Sequence, residues 1–191
     1  MGTALSHRNG TLSRTESLTY AIYWSPKVMP DALANGHASV IIDSVKFSEY
    51  LTAPGLQVQW YVSWYADASK PGSLGLCGDF LKEGDSWKGA KASPTSDILL
   101  PTRWVALKGL DIGAMKAAWE QIRKKQNAHW KLLSKNCATV AARVLKAGGG
   151  DDHATSSKNQ LVWWPTDVIR YAKSMKGLVQ FTSSDPPGAG G

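Results

Sequence analysis

Residues 134–150, SKNCATVAARVLKAGGG, mark both ends of a helix and place a cysteine at its start. Asn136 is a residue type that caps helix N-termini, and Gly148, Gly149 and Gly150 stop the helix at its other end. Between them Cys137, Val140, Ala141, Val144 and Leu145 recur at i, i+3, i+4, i+7 and i+8, which gathers them on one core-facing stripe. A fold for this chain must bury that stripe and leave Cys137 in the first turn. There, unsatisfied N–H groups and the positive end of the helix dipole favour thiolate over thiol. Two roles compete for the residue: a small core hydrophobe, or a nucleophile whose oxyanion the same N–H groups would hold.

A nucleophile needs a base. Of the four histidines, His7 lies in a polar N-terminus, His153 in a Gly- and Asp-rich loop, and His129 one short linker before the helix. His37 differs, because it follows Asn35-Gly36 and opens the apolar segment HASVIID, residues 37–43. A histidine at the first position of a strand can project from a sheet edge onto a packed helix end, the placement a Cys/His pair needs. The second cysteine, Cys77, sits in the glycine-rich GLCGDF and has no such setting. No His and Cys spacing matches a zinc site, and the glycine run follows a helix, whereas a phosphate-binding loop precedes one.

Around these residues the periodicity predicts α+β architecture. LTYAIYW (18–24), HASVIID (37–43), LQVQWYVSWYA (56–66) and RWVALKGL (103–110) read as strands of a small antiparallel sheet. Asp111 caps a helix that buries Ile112, Met115, Trp119 and Ile122, and Pro165 or Thr166 starts a last helix buried through Val168, Ile169 and Ala172. Residues 67–97 are expected as a long loop, 151–160 as a polar loop, and HWKLLSK as a plain linker. The expected organisation is a flexible N-terminus at 1–16, one catalytic domain at 17–178 and a flexible tail at 179–191.

With 43% hydrophobic and 19% charged residues, the chain belongs with globular and not disordered sequences. A net charge of +7 favours a polyanionic partner, but no RNA-recognition, zinc-finger or helix-turn-helix pattern accompanies it, so nucleic acid is not expected. The N-terminus lacks the apolar core of a cleavable signal, and no apolar run reaches membrane-spanning length. Nine Trp residues give aromatic surface suited to a core or to a sugar-binding face.

The segments NGHASVIID, YVSWY and LLSKNCATVAARVLKAGG, in that order, resemble the circularly permuted papain-like, NlpC-type cysteine hydrolases, in which the histidine precedes the cysteine. Together with WWPTDVIRYA they also resemble bacterial secreted effector toxins, including those of type VI secretion; the likeness spans roughly residues 18–175. It implies a papain-like sheet packed on helices, with Cys137 as nucleophile and His37 as base. It also implies a third polar residue on the strand after the histidine. No acidic residue occupies that strand here, which leaves Ser63 or Gln59 as the orienting group. Asn136 would cap the helix beside the oxyanion, and Trp64 and Trp164 would line the substrate cleft.

The implied activity is an amidase or endopeptidase that needs no cofactor or metal and cleaves peptidoglycan peptide. It would be secreted without a cleavable signal and would act in a target-cell periplasm or cytoplasm. A secretion-system carrier and an immunity protein would be its partners. The alternatives are the same thiol chemistry on a protein or lipid of a target cell (protease, deamidase or acyl hydrolase), or a non-catalytic Trp-rich module that binds a glycan or protein.

Overall fold

A strand with the sequence LTYAIYW, apolar or aromatic at nearly every position, is stable only where both of its faces are covered. The computed structural model, which describes residues 18–25, 36–44, 60–71, 77–81, 101–124 and 129–183, puts it there. Its elements run β1 (Leu18–Trp24), β2 (His37–Ser44), β3 (Tyr61–Val62), β4 (Tyr65–Pro71), β5 (Cys77–Leu81), β6 (Arg103–Leu107), α1 (Ile112–Lys124), β7 (His129–Lys131), α2 (Cys137–Ala147), α3 (Gly150–His153), α4 (Pro165–Lys173) and β8 (Val179–Thr182). Five strands form one antiparallel sheet in the order β3-β2-β1-β6-β8, with β1 at its centre and every β1 residue buried. The architecture is α+β.

Alternation along the strands divides the core in two. On one face Ala21, Tyr23, Ala38, Val40, Ile42, Val62, Val105 and Leu107 pack with the apolar stripes of α1, α2 and α4. On the other, Ile22, Trp24, Ile41 and Tyr61 form a separate cluster with Leu18, Tyr20 and Ala106. The helix stripes are the expected ones. Met115 and Trp119 are buried on α1, Val140, Ala141, Val144 and Leu145 on α2, and Val168, Ile169 and Ala172 on α4. Asp111 caps α1, its Oδ1 accepting from Ala114 N–H at 2.9 Å. Pro165 opens α4. Gly148 lets α2 end against α1: a Cβ there would lie 2.7 Å from Met115 Cγ.

Several boundaries differ from the sequence reading. The segment 56–66 is not one strand. Tyr61–Val62 completes the main sheet, and the chain then crosses at Ser63-Trp64 into a second antiparallel sheet, β4-β5-β7. Alternation alone cannot separate one long strand from two short ones joined at such a crossing. The supposed loop at 67–97 contains most of β4 and all of β5, and the linker HWKLLSK contributes β7; their pairing with one another replaces a strong apolar pattern. The loop at 151–160 begins inside the short α3. The tail is also revised: Val179–Thr182 pairs with β6 as an edge strand and is largely exposed, so it carries little apolar signal. Residues 1–16, Gln59 and 82–97 lie outside the described residues.

Candidate active site

The site is built where the N-terminus of α2 meets the first residues of β2. Cys137 opens α2 as expected, directly after Asn136, whose Oδ1 accepts from Thr139 N–H at 2.8 Å. The cap does more than end a helix. Asn136 Nδ2 also donates to the carbonyls of Leu132 at 2.7 Å and Trp163 at 2.8 Å, and Oδ1 takes a further bond from Thr139 Oγ1 at 3.0 Å. One buried amide therefore ties the turn before α2, the first turn of α2 and the segment entering α4 to a common point.

Three backbone N–H groups act on the Cys137 thiol to lower its pKa: that of Ala38, that of Ala138 and its own. The last two are the helix-terminal donors expected from the sequence. The first comes from β2, and Ala38 is the residue immediately after His37. Thiol and imidazole therefore flank the same peptide unit. His37 is buried, its ring lies 5.7 Å from that of Trp24 at an interplanar angle of 35°, and its Nε2 is 3.1 Å from Ser63 Oγ. Register explains the ring contact: Trp24 stands directly opposite His37 across the β1–β2 pair.

The electrostatics depart from expectation. Helix and strand N–H groups do lower the Cys137 pKa, but burial of the sulfur outweighs them and pushes the thiol up to about 11 from 9.0. The residue as a whole keeps intermediate exposure, whereas the sulfur itself is densely enclosed; the surroundings of the sulfur govern its ionisation. Burial likewise pushes His37 down to about 3 from 6.5. At neutral pH the resting site holds a thiol and a neutral imidazole, not an ion pair. Residue types and spacing reveal the donors but not the desolvation that opposes them.

Of the remaining sequence candidates, Ser63 is brought to His37, and Gln59 lies outside the described residues. Trp64 is only 1% exposed; its ring packs edge-on against Trp119, 6.3 Å away, with Lys135 Nζ 4.7 Å from its centroid. A ring so enclosed builds the core under the site and has almost no surface for a ligand. Trp164 is half-buried and starts α4, its N–H donating to Asp167 Oδ2 at 3.0 Å. The reading from residue types missed Trp24 and the Ala38 N–H. Pairing the segments 18–24 and 37–43 as neighbouring antiparallel strands would have set Trp24 against His37; a backbone donor leaves no residue-type signal. Among the described residues no group of His, Cys, Asp or Glu is arranged to hold a metal ion, and no helix is long and apolar enough to cross a membrane.

Comparison with known proteins adds a partial likeness. Residues 100–181 match the family model of the IcsB middle domain, a range that holds Cys137 and leaves out His37 and Ser63. A segment of 75 residues, 38% of this chain, is 37% identical to the multifunctional-autoprocessing repeats-in-toxin proteins of Vibrio vulnificus and of Vibrio cholerae. The matched segment spans only 1% and 2% of the lengths of those two proteins. No solved structure matches the chain significantly.

Proposed function

We propose that this chain is a toxin- or effector-like cysteine hydrolase that cleaves an amide bond with Cys137 as nucleophile and His37 as base. The observation that carries the reading is the shared peptide unit: the Ala38 N–H acts on the thiol to lower its pKa, and the preceding residue is a histidine whose Nε2 lies 3.1 Å from Ser63 Oγ. Donation from Nε2 to Ser63 Oγ fixes the tautomer and leaves the Nδ1 lone pair to take the thiol proton. In the neutral resting pair that transfer accompanies attack on the substrate carbonyl and does not precede it. Sulfur bonds to the acyl carbon, the N–H groups at the start of α2 hold the oxyanion, and His37 returns its proton to the leaving amine. Water then attacks the thioester, giving its proton to His37 and the acyl group its second oxygen, and the thiol is restored.

Peptidoglycan peptide, acted on in a target-cell periplasm, is the substrate this reading takes first, and the net charge of +7 suits a carboxylate-rich polymer. The same chemistry on a protein or lipid inside a target cell is the second reading, favoured by the likeness to the Vibrio toxins. Mass analysis of purified peptidoglycan exposed to the protein, with Cys137→Ala as control, tests the first. Cysteine-dependent release of peptide fragments supports it, and unaltered peptidoglycan removes that substrate.

A further inference from the structure

The outer face of α2, away from the core stripe, borders a groove of about 340 Å³ that the thiol chemistry does not use. Leu133, Thr139, Arg143, Lys146, Leu161 and Trp163 are among its walls. Two of these are large apolar side chains left in solvent: Leu161 is fully exposed and Leu133 is 59% exposed. Trp163, buried in the same lining, packs edge-on against Tyr171, 5.3 Å away, so the groove combines a buried aromatic ring with two exposed leucines. Isolated exposed leucines are ordinary, whereas apolar groups gathered around one concavity mark an interaction site.

The polar side of the groove is cationic. Lys146 Nζ lies 5.7 Å from the Trp163 ring centroid and is held by the Lys158 carbonyl at 2.6 Å and Asp151 Oδ2 at 3.1 Å, which offsets its charge. Arg143 is exposed, and its described partner is the Ser134 carbonyl at the long distance of 3.5 Å. No carboxylate lines the groove among the described residues. A guanidinium offered without a carboxylate, on a chain of net charge +7, selects an anionic occupant, and its fork geometry fits a carboxylate.

We propose that this groove docks an acidic segment of a partner protein, seating one apolar side chain over Trp163 between Leu133 and Leu161 and a carboxylate on Arg143. Arg and Trp are the residue types that dominate protein interfaces. The groove is concave and sized for a few side chains, which favours a peptide over the flat surface of a bilayer.

The test measures binding of the full chain to short synthetic peptides in which Leu, Phe or Trp is flanked by Glu, each paired with a counterpart carrying Gln for Glu. Binding of Glu peptides is expected, with Gln counterparts roughly tenfold weaker, the size of one lost charge-assisted hydrogen bond. Arg143→Ala and Leu161→Ser should each weaken binding by a similar factor at unchanged thermal stability, because both side chains are exposed. Arg143→Lys should recover only part of the loss. Cys137→Ala should bind like the parent, which separates docking from catalysis. Binding by either groove variant as tight as the parent's, equal binding of Glu and Gln peptides, or binding to phosphatidylserine vesicles without binding to any peptide would each overturn the proposal. So would an absence of binding throughout the peptide set.

Discussion

His37 Nε2 lies 3.1 Å from Ser63 Oγ, and this bond joins the first residue of β2 to the residue that follows β3. It holds the imidazole in one ring orientation. Ser63→Ala should leave a folded protein that turns over more slowly, by roughly tenfold if one neutral hydrogen bond orients the base. The loss should fall on kcat and not on KM, which steady-state kinetics on a cleaved substrate would show. Ser39 provides the contrast: its Oγ is buried without a partner among the described residues, so Ser39→Ala should be neutral or stabilising by up to about 1 kcal/mol in thermal or denaturant unfolding.

Burial of the two site residues sets a pH window for stability. The pKa of His37 is lowered to about 3 from 6.5, so the unfolded chain binds the proton more readily. The stability contributed by neutral His37 is complete above about 6.5 and is lost as pH falls toward 3. The thiol of Cys137 is raised to about 11 from 9.0, so its contribution is complete below 9.0 and is lost as pH rises toward 11. Unfolding measured across pH should show both limbs. His37→Gln should flatten the acid limb and Cys137→Ala the alkaline one; a variant that keeps its limb would assign that limb to other groups.

Asn136 is expected to be worth more than an ordinary cap. Asn136→Ala loses the bond to Thr139 N–H and leaves the carbonyls of Leu132 and Trp163 without their donor, and should cost about 2–4 kcal/mol. Asn136→Asp keeps the acceptor for Thr139 N–H but turns a carboxylate toward both carbonyls, so it should be nearly as destabilising. An Asp variant as stable as the parent would show that capping is the whole of the role.

The approach of α4 to the end of α2 depends on Gly150. A Cβ there would meet Tyr171 Oη and Met175 Cε at 2.7 Å and the Leu145 carbonyl at 2.9 Å, and the last of these is backbone that cannot swing aside. Gly150→Ala should cost about 1–3 kcal/mol by overpacking, read as a lowered unfolding midpoint. It should also disturb the bond from Tyr171 Oη to Asp151 Oδ1 at 2.8 Å.

Much of this was legible in the sequence because the elements that build the main core carry strong periodicity. The stripe on α2, the caps at Asn136 and Asp111 and the doubly buried β1 each follow from residue type and spacing. The second sheet did not show itself. In β4 and β5, residues such as Lys70 and Asp79 interrupt the apolar alternation, and pairing to β7 holds the strands instead. Edge strand β8 hid for a related reason, since exposed strands need no apolar pattern. At the site, residue types marked Cys137 and His37, and the aromatic strand offered Ser63 beside Gln59. The balance between helix donors and burial at the thiol was invisible, because it depends on which chains close over the sulfur.

The central claim is that Cys137 is a nucleophile served by His37, and growth of bacteria expressing the chain tests it without knowledge of the substrate. The protein would be produced in the cytoplasm and, with an added export signal, in the periplasm, as parent, Cys137→Ala and His37→Ala at matched levels. Growth arrest by the parent in one compartment, absent with either variant at comparable stability, is the predicted result. A Cys137→Ala protein as toxic as its parent would contradict the account, whatever the fold.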